Sequence, residues 1–111
     1  MKKYKFLLVA SNFYPEITLN LLKGAQKYLE INGHMFDIAF TKGSLEIPTK
    51  ISMKLSKSKY DAVVAIGCII KGKTDHYEFI ANAITNSLLS ISVENRIPIS
   101  NTVLTCSSVK H

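Results

Sequence analysis

Short uninterrupted apolar runs alternate along this chain with longer stretches of helical periodicity. Residues 6–10 read Phe-Leu-Leu-Val-Ala with no polar alternation, the pattern of a strand buried on both faces. Over residues 17–32 the period lengthens, and Ile17, Leu21, Ala25, Tyr28 and Leu29 define one helical face. Gly33 follows as a helix stop. Residues 35–40 form a second strand. Pro48 suits an early helical position, and Ile47, Ile51 and Leu55 give the buried stripe of a helix ending near Ser58. The β-branched run 62–66 is a third strand. A third helix spans about residues 76–95, with Tyr77, Ile80, Ile84, Leu88 and Ile91 on one face, and residues 97–105 give a fourth strand.

Strand–helix alternation implies a parallel sheet with right-handed crossovers. The expected architecture is α/β: three layers, α/β/α, with a four-stranded parallel sheet in the order 2-1-3-4 and flavodoxin-like winding. Ligands in such folds bind beyond the carboxyl ends of the strands, where the strand order reverses. That switch point lies between the first and third strands. The loops meeting there are residues 11–15 and 67–75, with 43–46 alongside.

The 111 residues amount to one small domain, 1–111, without repeat or linker. With 47% hydrophobic and 20% charged residues, the chain is globular and not disordered. Its longest apolar run, residues 62–70, is far too short to span a bilayer. The first ten residues imitate a signal peptide, but their apolar part is too brief and no cleavage site follows. Cys68 and Cys106 make no disulfide framework, so a cytoplasmic, reducing setting is expected. The formal charge of +6 comes from scattered lysines with no aromatic-rich motif among them. It reads as a solvated surface, and neither nucleic acid nor membrane is an expected partner.

Candidate chemistry concentrates in residues 60–79. After the third strand come two glycines and two lysines, then Asp75 and Glu78 at capping-box spacing. A strand, a basic glycine-containing loop and a helix start make an anion site, because free N–H groups and the helix dipole both favour negative charge. His76 lies in the first turn beside it. Residues 67–74 also satisfy the P-loop pattern G-x-x-x-x-G-K-[ST]. Bulky Cys68, Ile69 and Ile70 at the wrapping positions count against nucleotide binding, as does the lack of a strand-ending Asp to hold magnesium. Two further residues have alternative readings. Phe13 is either folded back on the core or presented to a flat ligand. Glu46 is either a favourable charge near a helix start or a ligand's hydrogen-bond acceptor.

Three pieces of this sequence resemble the lumazine synthase family. Asn12-Phe13-Tyr14 is similar to its Arg-Phe-Tyr/Asn after the first strand. Residues 43–48, Gly-Ser-Leu-Glu-Ile-Pro, are similar to its Gly-Ala-Leu/Phe/Tyr-Glu-Ile/Leu-Pro. Residues 67–76, Gly-Cys-Ile-Ile-Lys-Gly-Lys-Thr-Asp-His, are similar to its Gly-Thr/Cys-Val-Ile-Arg-Gly-x-Thr-x-His. Order and spacing match over roughly residues 5–105. The resemblance implies condensation of 5-amino-6-ribitylamino-uracil with 3,4-dihydroxy-2-butanone 4-phosphate to 6,7-dimethyl-8-ribityllumazine, with no metal and no cofactor. It also implies a homo-oligomer, a pentamer or a pentamer-based shell. Phe13 would stack on the pyrimidine, and backbone groups of Cys68, Ile69 and Ile70 would bond its edge. Ser44, Leu45 and Glu46 would hold the ribityl chain and ring. Lys73 and Thr74 would cradle the phosphate. His76 would move protons, and Asn101 would face the neighbouring subunit's site.

Some positions depart from that pattern. Asn12 and Lys71 replace arginines and Lys42 replaces a proline. The family continues past the fourth strand with two helices bearing a phosphate-binding arginine, and Arg96 is not at that position. The domain is therefore expected to be C-terminally incomplete, with a non-catalytic remnant as the competing reading. Chirality then leaves strands three and four open on the first helix's side, and a sizeable exposed apolar patch is expected there.

Overall fold

The computed structural model describes residues 2–71 and 76–106. In chain order its elements are β1 (Lys5–Ser11), α1 (Pro15–Ile31), β2 (Met35–Thr41), a 3₁₀ turn (Ser44–Glu46), α2 (Ile47–Leu55), β3 (Ala62–Ile70), α3 (Tyr77–Asn95) and β4 (Ile99–Cys106). The four strands form one parallel sheet in the order β2-β1-β3-β4. This is the expected winding. Each continuous apolar run feeds both faces of the sheet, since successive side chains point to opposite sides. Leu7, Val9, Val63 and Ala65 meet Ile47, Ile51, Ile84 and Leu88 under α2 and α3. Leu8, Ala10 and Ile66 meet Leu22 and Leu29 under α1.

α1 keeps most of the expected face, with Leu29 buried and Leu21 and Ala25 packed against the core, but it departs at Thr18, Leu22 and Tyr28. Its buried residues are Thr18, Leu22 and Leu29, whereas Tyr28 is 67% exposed. The hydrophobic stripe missed Thr18 because threonine is polar. Its hydroxyl donates to the Tyr14 carbonyl at 3.4 Å, which lets it sit in the core without an unsatisfied group. Gly33 terminates the helix as expected, at φ +75°, in the left-handed region that glycine enters without strain. Asp75 of the expected capping box lies outside the described residues.

Two expectations are corrected. β3 does not give way to a loop at Gly67 but runs on to Ile70, paired with β4 through Ile70 and Cys106. A strand cannot wrap a phosphate, so the first part of the P-loop match is not a phosphate-binding loop. Nor is β3 open on the α1 side: Ile66, Cys68 and Ile70 are each at most 2% exposed. The register puts Ser100, Thr102, Leu104 and Cys106 on that side of β4. Only Leu104 among them is a large, exposed apolar side chain. The expected patch fails because α1 reaches across β2, β1 and β3, and because β4 carries hydroxyls there. Among the described residues no helix is long and apolar enough to cross a membrane.

At the amino end of the sheet, the Tyr60 hydroxyl donates to Asp37 Oδ2 at 2.6 Å. Burial, then the hydrogen bond and charge of Asp37, push the Tyr60 hydroxyl up to about 12. The raised value means that folding favours the neutral phenol. Its contribution to stability is complete below the ordinary tyrosine range near 10 and is lost as pH rises toward about 12. Tyr60→Phe is expected to flatten the fall in stability between those limits, read from denaturant midpoints at a series of pH values. An unchanged slope would mean that Tyr60 is not what titrates.

Candidate functional site

At the carboxyl end of the sheet the chain makes two turns that frame a cleft. The first follows β1. The Asn12 N–H donates to the Thr41 carbonyl at 2.7 Å, tying this loop to the end of β2. Tyr14 adopts a left-handed conformation at φ 57° before Pro15 starts α1. A non-glycine residue held there costs on the order of 1–3 kcal/mol and persists only where its surroundings enforce it. Here its carbonyl accepts the N–H groups of Ile17 and Thr18. The Phe13 ring lies edge-on to Tyr14, with centroids 4.5 Å apart. It is 49% exposed, so it is presented to the cleft and not folded back on the core.

The second turn follows β2. The Thr41 hydroxyl donates to the Gly43 carbonyl at 2.7 Å, and the Gly43 N–H donates to Glu46 Oε1 at 2.8 Å. Glu46 thus caps its own turn, the structural one of its two readings for that oxygen. Ser44 is turned inward and buried. Its hydroxyl accepts the Cys68 N–H at 3.2 Å and donates to the Cys68 carbonyl at 3.3 Å.

The end of β3 forms the remaining wall. The Val63 N–H donates to Pro98 on the β4 side, so alternate residues turn their peptide groups the other way, toward β1. Those residues include Cys68 and Ile70. Pairing with β1 stops at Ala10 and Ile66, leaving this edge without a strand neighbour among the described residues. Ser44 occupies the Cys68 groups, and by the same alternation the next peptide groups on this edge belong to Ile70. Burial, then hydrogen bonding to Cys106 and its charge, push the Cys68 thiol up to about 12. At neutral pH it is therefore uncharged. Its Sγ lies 3.0 Å from that of Cys106, and both cysteines are free.

The resulting cleft, about 280 Å³, is lined by Phe13, Gly43, Ser44, Leu45, Cys68, Ile69, Ile70 and Ile80. It gathers the expected pyrimidine and ribityl set except Glu46, which lines an adjacent cleft with Lys42 and Lys50. Ile80 of α3 was not anticipated as a wall, and only its place on the helix's buried face pointed to it. His76 is exposed at the N-terminus of α3, its ring 5.8 Å from that of Phe79. Lys71 is also exposed, its Nζ 5.3 Å from the Tyr77 ring centroid. Asn101 stands apart on β4, where its side-chain amide donates to the Thr85 hydroxyl at 3.3 Å. Lys73 and Thr74 lie outside the described residues. Among the described residues no three His, Cys, Asp or Glu side chains cluster as metal ligands. A shallower groove of about 380 Å³ between α2 and α3 is lined chiefly by serine, threonine and asparagine. It lacks both an aromatic face and an open strand edge.

These features define a small parallel α/β protein with an apolar-lined cleft at its switch point. A family model described as 6,7-dimethyl-8-ribityllumazine synthase matches residues 3–111. Proteins of that name from Nitrobacter hamburgensis and Methylobacterium radiotolerans are 36% and 37% identical to this chain, over 89% and 91% of its length. One from Leuconostoc mesenteroides is 38% identical over 96% of the chain. The chain belongs to the 6,7-dimethyl-8-ribityllumazine synthase family. It spans 64% and 62% of the length of the first two relatives and 70% of the third.

Proposed function

We propose that this protein condenses 5-amino-6-ribitylamino-uracil with 3,4-dihydroxy-2-butanone 4-phosphate, giving 6,7-dimethyl-8-ribityllumazine, inorganic phosphate and water, in riboflavin biosynthesis. The observation that carries the reading is the cleft between the half-exposed Phe13 ring and the strand-free edge of β3. A pyrimidinedione has a flat face for the ring and a C=O/N–H edge. That edge is complementary to one backbone N–H and C=O, much as a neighbouring strand is. Leu45 and Ser44 bound the side where the ribityl chain leaves. Lys73 and Thr74 hold the phosphate, and His76 at the start of α3 moves protons. Much of the rate comes from aligning two substrates, an entropic gain.

The working form is a homo-oligomer, a pentamer or a pentamer-based shell, with Asn101 facing the neighbour's site. Support comes from Phe79, Leu89 and Val93, which leave large apolar side chains of α3 exposed, and from the edge position of β4. Two free thiols support a reducing, cytoplasmic setting.

Incubating the purified protein with both substrates tests the reading. Fluorescent lumazine and an equivalent of phosphate are expected. Absence of both above the uncatalysed background would contradict it. Phe13→Ala is expected to weaken binding of 6-ribitylaminouracil more than of inorganic phosphate, the stacked pair contributing about 0.5–1.5 kcal/mol beyond area burial. Equal losses for the two ligands would return Phe13 to a packing role.

A further inference from the structure

We infer that Ser44 is a positioning residue of the cleft, a side chain that takes the place of the missing strand beside β3. The inference rests on the pyrimidine reading of the cleft. Where β1 ends, β3 continues with its peptide edge bare, and a bare buried edge needs partners. The Ser44 hydroxyl supplies both to Cys68, accepting its N–H at 3.2 Å and donating to its carbonyl at 3.3 Å. One side chain thereby fastens the 3₁₀ turn to β3 and sets the separation of the two walls. It also ends the occupied part of the edge at Cys68, so a ligand's polar edge is directed to Ile70. The same bond keeps a ligand's polar edge from the Cys68 peptide groups.

Gly67 supports this reading independently. A Cβ at that position would overlap the Ser44 hydroxyl and would lie 3.2 Å from Ile47 Cδ1 and 3.3 Å from Ser11 Oγ. The backbone of Gly67 is extended within β3 and sits at no special φ. The requirement for glycine is space, and Ser44 takes much of that space. The glycine and the serine form a matched pair across the turn and the strand.

The test combines amide exchange with ligand binding and turnover on the full chain. Ser44→Ala is expected to speed hydrogen exchange selectively at the Cys68 amide. It should weaken 6-ribitylaminouracil binding, and raise KM for the uracil substrate, by about tenfold, the scale of one buried group left without its hydrogen bond. Saturated kcat should stay nearly unchanged, which a general loss of folded protein would not produce. Gly67→Ala should weaken binding by at least as much, by displacing the hydroxyl. In the double variant the losses should combine less than additively, since the two changes disrupt one contact. Faster exchange with unchanged binding would overturn the positioning role, and unchanged exchange at Cys68 would overturn the clamp itself. Strictly additive losses would overturn the pairing with Gly67. Failure of the unaltered protein to bind the probe would overturn the pyrimidine reading instead, and the exchange result would identify that case.

Discussion

Replacing His76 with alanine is expected to slow lumazine formation by roughly 10²–10⁴-fold, the usual contribution of a positioned acid–base group. Binding of 6-ribitylaminouracil should change little. The physical ground is placement. β3 delivers the chain to the carboxyl end of the sheet, and α3 begins at Tyr77 with His76 as its N-cap. The imidazole is exposed there, next in sequence to the proposed phosphate residues, while the described lining of the pyrimidine cleft does not include it. Loss of proton transfer with retained pyrimidine binding is the signature of that arrangement. Single-turnover rates and equilibrium titration on the same preparation separate the two quantities. A variant that turns over at the original rate would remove His76 from the mechanism.

The second large effect is expected at Ile47, the first residue of α2, fully buried in the α2–α3 core. Ile47→Ala removes most of a packed side chain, and such truncations destabilise by about 2–5 kcal/mol. A small domain has only about 5–15 kcal/mol in total, so a large share of the stability should go. Ile47 also directly follows the Ser44–Glu46 turn and packs beside Gly67. The loss should therefore appear in pyrimidine affinity as well as in the denaturant midpoint. A change below about 1 kcal/mol would mean that the core relaxes around the gap in a way this packing does not suggest.

The sheet order, with α1 on one face and α2 and α3 on the other, was legible in the sequence because continuous apolar runs and right-handed crossovers leave few alternatives; the reach of α1 over β3 was not. The stripe of α3 was legible for a similar reason, being long and regular: Ile84 and Leu88 are buried, with Tyr77, Ile80 and Ile91 packed around them. α1 was harder. Its core-facing Thr18 depends on a hydrogen bond to Tyr14, and residue-type periodicity carries no trace of such a bond. The end of β3 was misjudged at Gly67, which reads as a loop signal but serves as a vacancy for the Ser44 hydroxyl. That contact joins residues 44 and 67–68, and no local pattern announces it. Glu46 had two possible roles, and only coordinates could place its carboxylate on the Gly43 N–H. Phe13 was likewise undecided until its exposure and its contact with Tyr14 were known.

The most direct test is a crystal structure of the protein with 6-ribitylaminouracil. The ring should lie against Phe13, with its C=O/N–H edge on the Ile70 peptide groups and the ribityl chain leaving past Leu45, while Ser44 remains bonded to Cys68. A ligand seated instead in the groove between α2 and α3, or beside Lys50, with the Phe13 cleft empty, would contradict the assignment.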